Sequence, residues 1–184
     1  MKKKIPFHVL IVFLLVFIDQ ITKYFAVKNL SGNSGIDIIK GVFKLYLLEG
    51  GNSGAAFGIL QGQFYFFAVI TVLIVGVISF ILLKIPFDNK RYIPMRYTLL
   101  FLISGAIGNF IDRVYSFITT GRSSVVDFLY FHLIEFPIFN VADIYVTLSA
   151  IALFVLVIFN YKDSDFGFLK KKGLFLNGRM DHIK

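Results

Sequence analysis

Four stretches of the chain are apolar for long enough to cross a membrane, at about residues 5–25, 64–84, 96–113 and 139–160. A helical span needs roughly 20 mostly apolar residues to cover a hydrocarbon core of about 30 Å. Phe64 to Leu83 carries no charge and is the clearest of the four. The third is the weakest, because Ser104, Gly105, Gly108 and Asn109 dilute it, although Leu99–Ile103 is strongly apolar. Between the first two spans, residues 26–63 hold 8 of the 15 glycines and two β-prone runs, Ile36–Ile39 and Val42–Leu48. Gly41 lies between these runs as a turn or bulge, which predicts a small strand-rich platform on the membrane surface. Residues 114–138 read as a loop ending in Phe128, Tyr130, Phe131, Phe136 and Phe139. Such aromatics suit the headgroup level, and serve substrate contact equally well. No internal repeat is visible. The pattern predicts a single domain over 1–184: a membrane all-α bundle of four transmembrane helices with a small extracytoplasmic β-rich platform.

Composition sharpens this picture. Hydrophobic content of 57% and a mean hydropathy of +0.78 take the chain out of the soluble class. Thirteen of the 19 lysines and arginines flank one side of the predicted bundle: Lys2–Lys4, the turn between the second and third spans, and the segment after the fourth. Positive charge marks the cytoplasmic side, so both termini are expected inside. The net charge of +8 is mostly this asymmetry, and its division among termini and one short turn argues against nucleic-acid binding. A cleaved leader is a poor reading of the first span, since Asp19-Gln20 interrupts it and no A-x-A site follows. The tail 161–184 mixes Lys170–Lys172 with Phe166, Phe168 and Leu174, and reads either as lying on the anionic inner leaflet or as a solvated terminus. The absence of cysteine removes disulfides and thiol chemistry.

Against this apolar background the acidic residues stand out. A carboxylate within a span costs about 2.5–3.5 kcal/mol on insertion scales, and marks function by default. At 1.5 Å per residue, Asp19 lies roughly 21 Å along the first helix, and Asp143 roughly 6 Å into the fourth. Asp112 closes the outer end of the third span and Asp127 follows in the loop, so all four share one layer near the outer face. Helical spacing pairs Asp19 with Lys23, Asn109 with Arg113, and Asn140 with Asp143. Asp19–Lys23 reads either as a simple ion pair or as part of a site, and Asp112–Arg113 either as a charge pair capping a helix or as part of a site. Asp127 and Asp143 have no local cation. Brought together, two such carboxylates cannot both ionise and share a proton, as in an aspartic peptidase. His8, His132 and His182 form no zinc motif, and Gly51-Asn52-Ser53-Gly54 is no nucleophile elbow. No lysine has convincing spacing to Ser53 or Ser104 for a Ser–Lys dyad. A proton- or ion-coupled transporter is the competing reading, and it calls for carboxylates spread through the membrane depth.

Five stretches then resemble lipoprotein signal peptidase, the signal peptidase II family of intramembrane aspartic peptidases. They are Asp19-Gln20-Ile21-Thr22-Lys23, Asn52 to Gly58, Gly105 to Arg113, Val125 to Phe128, and Phe136 to Asp143. The resemblance covers about residues 8–160 and leaves the tail unexplained. It implies that Asp127 and Asp143 form the catalytic dyad. It implies also that Asp19, Asn52, Asn109, Asp112, Arg113 and Asn140 line or brace the site, with Lys23 and Gly54 among its supports. The implied substrate is a prolipoprotein whose cysteine carries diacylglycerol, cleaved just before that cysteine. No metal or organic cofactor is implied, the partners are substrate and membrane lipids, the expected state is a monomer, and globomycin is the expected inhibitor. Gly51 departs from the family, whose members often carry a larger residue there, and is expected to loosen the platform strand.

Overall fold

A computed structural model describes residues 5–54 and 63–169. Lys2–Lys4, the Ala55–Gly58 part of the second matching stretch, and the tail from Lys170 onward lie outside the described residues. Four long helices carry the fold: α1 (Ile5–Leu30), α2 (Phe64–Lys84), α3 (Ile93–Thr120) and α4 (Val141–Val155), the last continuing as a π-helical turn through Asn160. Three of them, α1, α2 and α4 with its continuation, are long and apolar enough to cross a membrane. They present bare apolar side chains outward, among them Phe13, Phe17, Val72, Leu73, Ile151 and Phe154.

The third helix differs because it is the centre of the bundle. It packs against α1, α2 and α4, so its own polar and small residues are buried rather than turned to lipid. Ser104, Gly105, Gly108 and Asp112 are all buried. Pro94 sits in its first turn, where no backbone donor is lost. It ends at Gly121, whose left-handed φ of 71° is the usual terminating conformation. It therefore runs well past Arg113, and residues 114–120 belong to a helix rather than to the expected loop. Asp112 and Arg113 lie two turns inside it, so neither caps its end.

The platform is a three-stranded antiparallel sheet, β1 (Ile36–Ile39), β2 (Phe43–Leu45) and β3 (Leu129–Phe131), in that order. The register of β1 on β2 shifts between Asp37 and Ile39. The third strand comes from the region read as loop, because Leu129-Tyr130-Phe131 is too short to register as a pattern by itself. Pairing of β2 with β3 extends beyond the strands: Tyr46 N–H donates to Phe128 O (2.9 Å), Leu48 N–H to Asp127 O (3.0 Å), and Asn52 and Val125 bond each other in both directions. This ladder lays residues 125–131 antiparallel along 43–52. Phe128 is a buried core residue rather than a headgroup anchor, packed with Ala26, Leu30 and Leu47 under the sheet. A second apolar core fills the opposite end of the bundle, from Ile78, Leu99 and Ile103 to Tyr92 and Tyr161.

Gly51 is the reverse of a loosening residue. Its φ is +70°, and a Cβ there would lie 2.8 Å from Val125 O. Its N–H also donates to Leu48 O at 2.9 Å. Glycine is what lets this turn close against the Val125 strand.

Candidate active site

Between the two apolar cores lies a layer of polar side chains, and its geometry begins with α4. The N-terminus of a helix leaves donors without intrahelical acceptors. Asn140 caps α4 by accepting from Asp143 N–H (3.0 Å), while the Asp143 carboxylate accepts from Asn140 N–H (3.0 Å), a reciprocal capping box. The helix thus starts at Val141, later than the expected 139, and Asp143 sits in its first turn. A further free donor, Ala142 N–H, is met by Asp19 of α1 at 2.9 Å.

Around Asp19 is a closed ionic cluster. Lys23 Nζ lies 2.9 Å from Asp19 and 2.9 Å from Asp112, and donates to Asn109 Oδ1 at 3.0 Å. Its three donors are all used. Gln20 Nε2 reaches Asp19, Gly108 O and Asp112, and Asp112 also accepts from Val126 N–H at 3.1 Å. Asp19 and Lys23 are only 0% and 3% exposed. Charges so deeply buried persist because each is hydrogen-bonded and opposed. The close approach of α1, α3 and α4 depends on small residues. A Cβ on Gly108 would fall 2.5 Å from Asp19 Oδ2, and one on Gly105 2.5 Å from Ala142 O. Asp112 therefore pairs with Lys23, and not with its neighbour Arg113.

The second pair of carboxylates is held differently. Asp127 accepts from Asn52 Nδ2 (3.0 Å) and Asn140 Nδ2 (2.7 Å). Asp143 accepts from Asn109 Nδ2 (2.8 Å) besides its capping bond. Asn140 Nδ2 also reaches Asn109 Oδ1 (3.0 Å), so Asp127, Asn140, Asn109 and Asp143 form one connected chain. Obligatory donors fix the amide orientations. Lys23 can only donate, so the Asn109 oxygen faces it and the Asn109 NH2 faces Asp143. The Asp143 N–H likewise turns the Asn140 oxygen inward and leaves its NH2 for Asp127. Burial first, and the Asp143 charge second, push the Asp127 carboxyl up to about 6.

A cavity of about 430 Å³ opens on these two aspartates, within the range of about 300–1,000 Å³ usual for ligand sites. Asn52, Gly54, Asn109 and Arg113 border it on one side, Phe136–Phe139 form another wall, and Ile144, Thr147 and Leu148 continue it along α4. The Arg113 guanidinium stacks 4.2 Å over Phe67 and donates from Nη2 to Gly54 O. Its buried Nη1 has no partner among the described residues. Every residue anticipated for the site therefore falls in one polar layer: in the ionic cluster (Asp19, Lys23, Asp112), at the cavity (Asn52, Gly54, Asn109, Arg113, Asp127, Asp143), or, for the fully buried Asn140, behind it bridging Asp127 and Asn109. Gln20 and Phe67 were not singled out from sequence. Gln20 is adjacent to Asp19 in a matching stretch, which was the available signal; nothing local marks Phe67. Among the described residues no group of three or more acidic or histidine side chains is placed to hold a metal ion.

Long lipid-facing helices around a buried carboxylate-lined cavity define a membrane-embedded enzyme. Residues 11–159 match the family described as signal peptidase (SPase) II. Lipoprotein signal peptidase of Streptococcus thermophilus is 42% identical over 143 residues, covering 78% of this chain and 86% of that protein. Those of Bacillus pumilus and Streptococcus pyogenes are 39% and 40% identical, covering 85% and 91% of this chain and 95% and 99% of theirs. A bacterial membrane enzyme solved by the in meso method at 2.3 Å superposes with a TM-score of 0.68 at 31% identity, covering 91% of this chain and 94% of its own. The chain belongs to the signal peptidase II family, and is a membrane-embedded peptidase.

Proposed function

We propose that the chain removes signal peptides from diacylglyceryl-modified prolipoproteins as an aspartic endopeptidase, with Asp127 and Asp143 as its catalytic pair. The observation that carries this reading is the connected Asp127–Asn140–Asn109–Asp143 chain on a cavity, in which both carboxylates meet amide donors and, among the described residues, neither contacts a cation. One carboxylate takes a proton from water as it adds to the scissile carbonyl; the other, protonated, donates to the carbonyl oxygen. Collapse of the tetrahedral intermediate returns a proton to the leaving amine. The unpaired Nη1 of Arg113 and the Asn52 amide are donors for the substrate backbone. The apolar wall from Ile138 to Leu148 suits a signal-peptide helix and acyl chains.

In this reading α3 is a fourth span, both termini are cytoplasmic, and the platform and site lie at the outer face. The enzyme works as a monomer without metal or cofactor, its partners are lipidated prolipoproteins and membrane lipids, it binds no nucleic acid, and globomycin blocks it at the dyad. The transporter reading lacks support: among the described residues the buried carboxylates, Asp19, Asp112 and Asp127, all belong to the one polar layer, and none continues along α3 from Ser104 to Met95. A gel-shift assay with lipidated and unlipidated prolipoprotein, run with wild type and Asp143→Asn, tests the proposal. Cleavage of the lipidated form alone, absent in the variant, is expected; cleavage by folded Asp143→Asn would overturn the assignment.

A further inference from the structure

A second cavity, of about 270 Å³, lies at the opposite end of the bundle, where α1 begins and α2 ends. Its walls are Val12 of α1, Ser79 and Leu83 of α2, and Ile103 of α3. It exists because α1 and α2 each pack on α3 but make little direct contact with one another. The resulting groove is apolar along its length and faces the lipid. Polar chemistry gathers at its terminal end. There His8 stacks on Phe87, with ring centroids 5.3 Å apart at 16°, and both line the cavity.

Arg96 stands behind them. It is one turn before Leu100 and two before Ile103 on α3, and both of these line the groove. Its guanidinium carbon is 5.0 Å from the Phe87 ring centroid. The side chain is only 6% exposed, yet its one hydrogen bond among the described residues runs from Nη2 to Pro86 O (2.8 Å). Its buried Nε has no acceptor among the described residues. Asp88 acts on it through space. A buried guanidinium carries five donors in a fixed fork suited to phosphate, and an unmet one is costly. Of the molecules present at this depth, a phospholipid joins an acyl chain to an anion in the required order. Lys84 places further positive charge at the same end, which favours an anionic lipid, whereas Arg91 is taken up by Asp165.

We propose that this groove is a site for one anionic phospholipid, its acyl chain lying between α1 and α2 against α3, and its phosphate held by Arg96 beside His8. The site is remote from the dyad and does not depend on the catalytic assignment.

The test is native mass spectrometry of the full chain in detergent, titrated separately with dioleoyl-phosphatidylglycerol and dioleoyl-phosphatidylcholine. Wild type should bind one phosphatidylglycerol at least tenfold tighter than phosphatidylcholine. Arg96→Gln should bring the two lipids within twofold. Ser79→Phe, which fills the groove and leaves the arginine in place, should cost at least tenfold for phosphatidylglycerol. Lys90→Gln, altering a charge outside the groove, should leave the preference intact. Equal binding of the two lipids by wild type would overturn the proposal, as would a preference that survives Arg96→Gln or Ser79→Phe. Loss of preference in Lys90→Gln as complete as in Arg96→Gln would assign the effect to diffuse surface charge and overturn it too. Should Arg96→Gln fail to fold by its melting curve, Ser79→Phe decides by itself.

Discussion

Asp19 and Asp112 form one carboxylate pair in the polar layer, and Asp127 and Asp143 the other; they share a membrane depth but not an environment. The first pair shares Lys23, within 2.9 Å of each, and a glutamine amide that reaches both. The second pair meets only neutral donors: two asparagine amides on Asp127, an asparagine amide and a backbone N–H on Asp143. A carboxylate with a cation in contact fastens helices together. A carboxylate buried among neutral donors, as Asp127 is, holds its proton more readily than in water. The same residue type thus braces in one place and, in the function proposed above, carries acid–base chemistry in the other, a few side chains away.

Breaking the second pair should have the largest effect on rate. Asp127→Asn and Asp143→Asn are each expected to lower cleavage by about 10²–10⁴-fold, the usual contribution of a general acid or base, with the fold retained by circular dichroism. Breaking the first pair should have the largest effect on stability. Lys23→Met leaves two buried carboxylates unopposed, and removing one partner of a buried pair costs about 3–5 kcal/mol. Its melting temperature should fall sharply, while the rate of whatever folded protein remains falls far less than in Asp127→Asn or Asp143→Asn, since only the bond orienting Asn109 is lost at the second pair. If Lys23→Met lost its rate at full stability, the division of roles drawn above would fail.

Smaller changes sharpen the contrast. Gly108→Ala puts a methyl 2.5 Å from the Asp19 carboxylate, so the α1–α3 contact must open. Overpacking of this kind costs about 1–3 kcal/mol, read as a lowered melting temperature. Asn140→Ser keeps a helix cap but drops both amide donations toward Asp127 and Asn109. A hydrogen bond to a charged group contributes about 1.5–3 kcal/mol to folding, so the melting temperature should fall by less than in Lys23→Met, while the rate falls roughly tenfold or more as Asp127 loses a donor.

The smallest effect is on pH dependence. Asp127 is raised from 3.8 to about 6, so the folded protein holds a proton there that the unfolded chain releases. The stability this proton confers is full below pH 3.8 and is lost as pH rises through about 6. Melting temperature measured from pH 4 to 8 should therefore decline across that window more steeply in wild type than in Asp127→Asn. Equal slopes would show that Asp127 is not raised.

The long helices and the gathering of carboxylates in one layer were legible in the sequence, because hydropathy and axial rise act along the chain. The motif stretches marked the same residues that line the cavity and its bracing cluster. What misled was local. Asp112 and Arg113 are adjacent, and adjacency suggested a pair; on a helix neighbours point apart by about 100°, so Asp112 turns to Lys23 of α1 while Arg113 turns to Phe67 of α2. Gly51 looked like slack in a strand, and only its contact with Val125 shows it to be a tight fit. The aromatic Phe128 looked interfacial, and is covered by Leu47 and by the end of α1.

The sequence alone therefore determined that this is a chain of apolar helices with carboxylates at one level, since burial in lipid is imposed residue by residue. Which carboxylates meet Lys23 and which, among the described residues, meet only amide donors was decided by tertiary structure. That choice depends on where Lys23 lands, on the glycines that let α1, α3 and α4 converge, and on the ladder from Tyr46 to Asn52 that sets Asp127 beside the start of α4. These are contacts between segments up to 123 residues apart, as between Asp19 and Ala142, and no pattern along the chain encodes their distances.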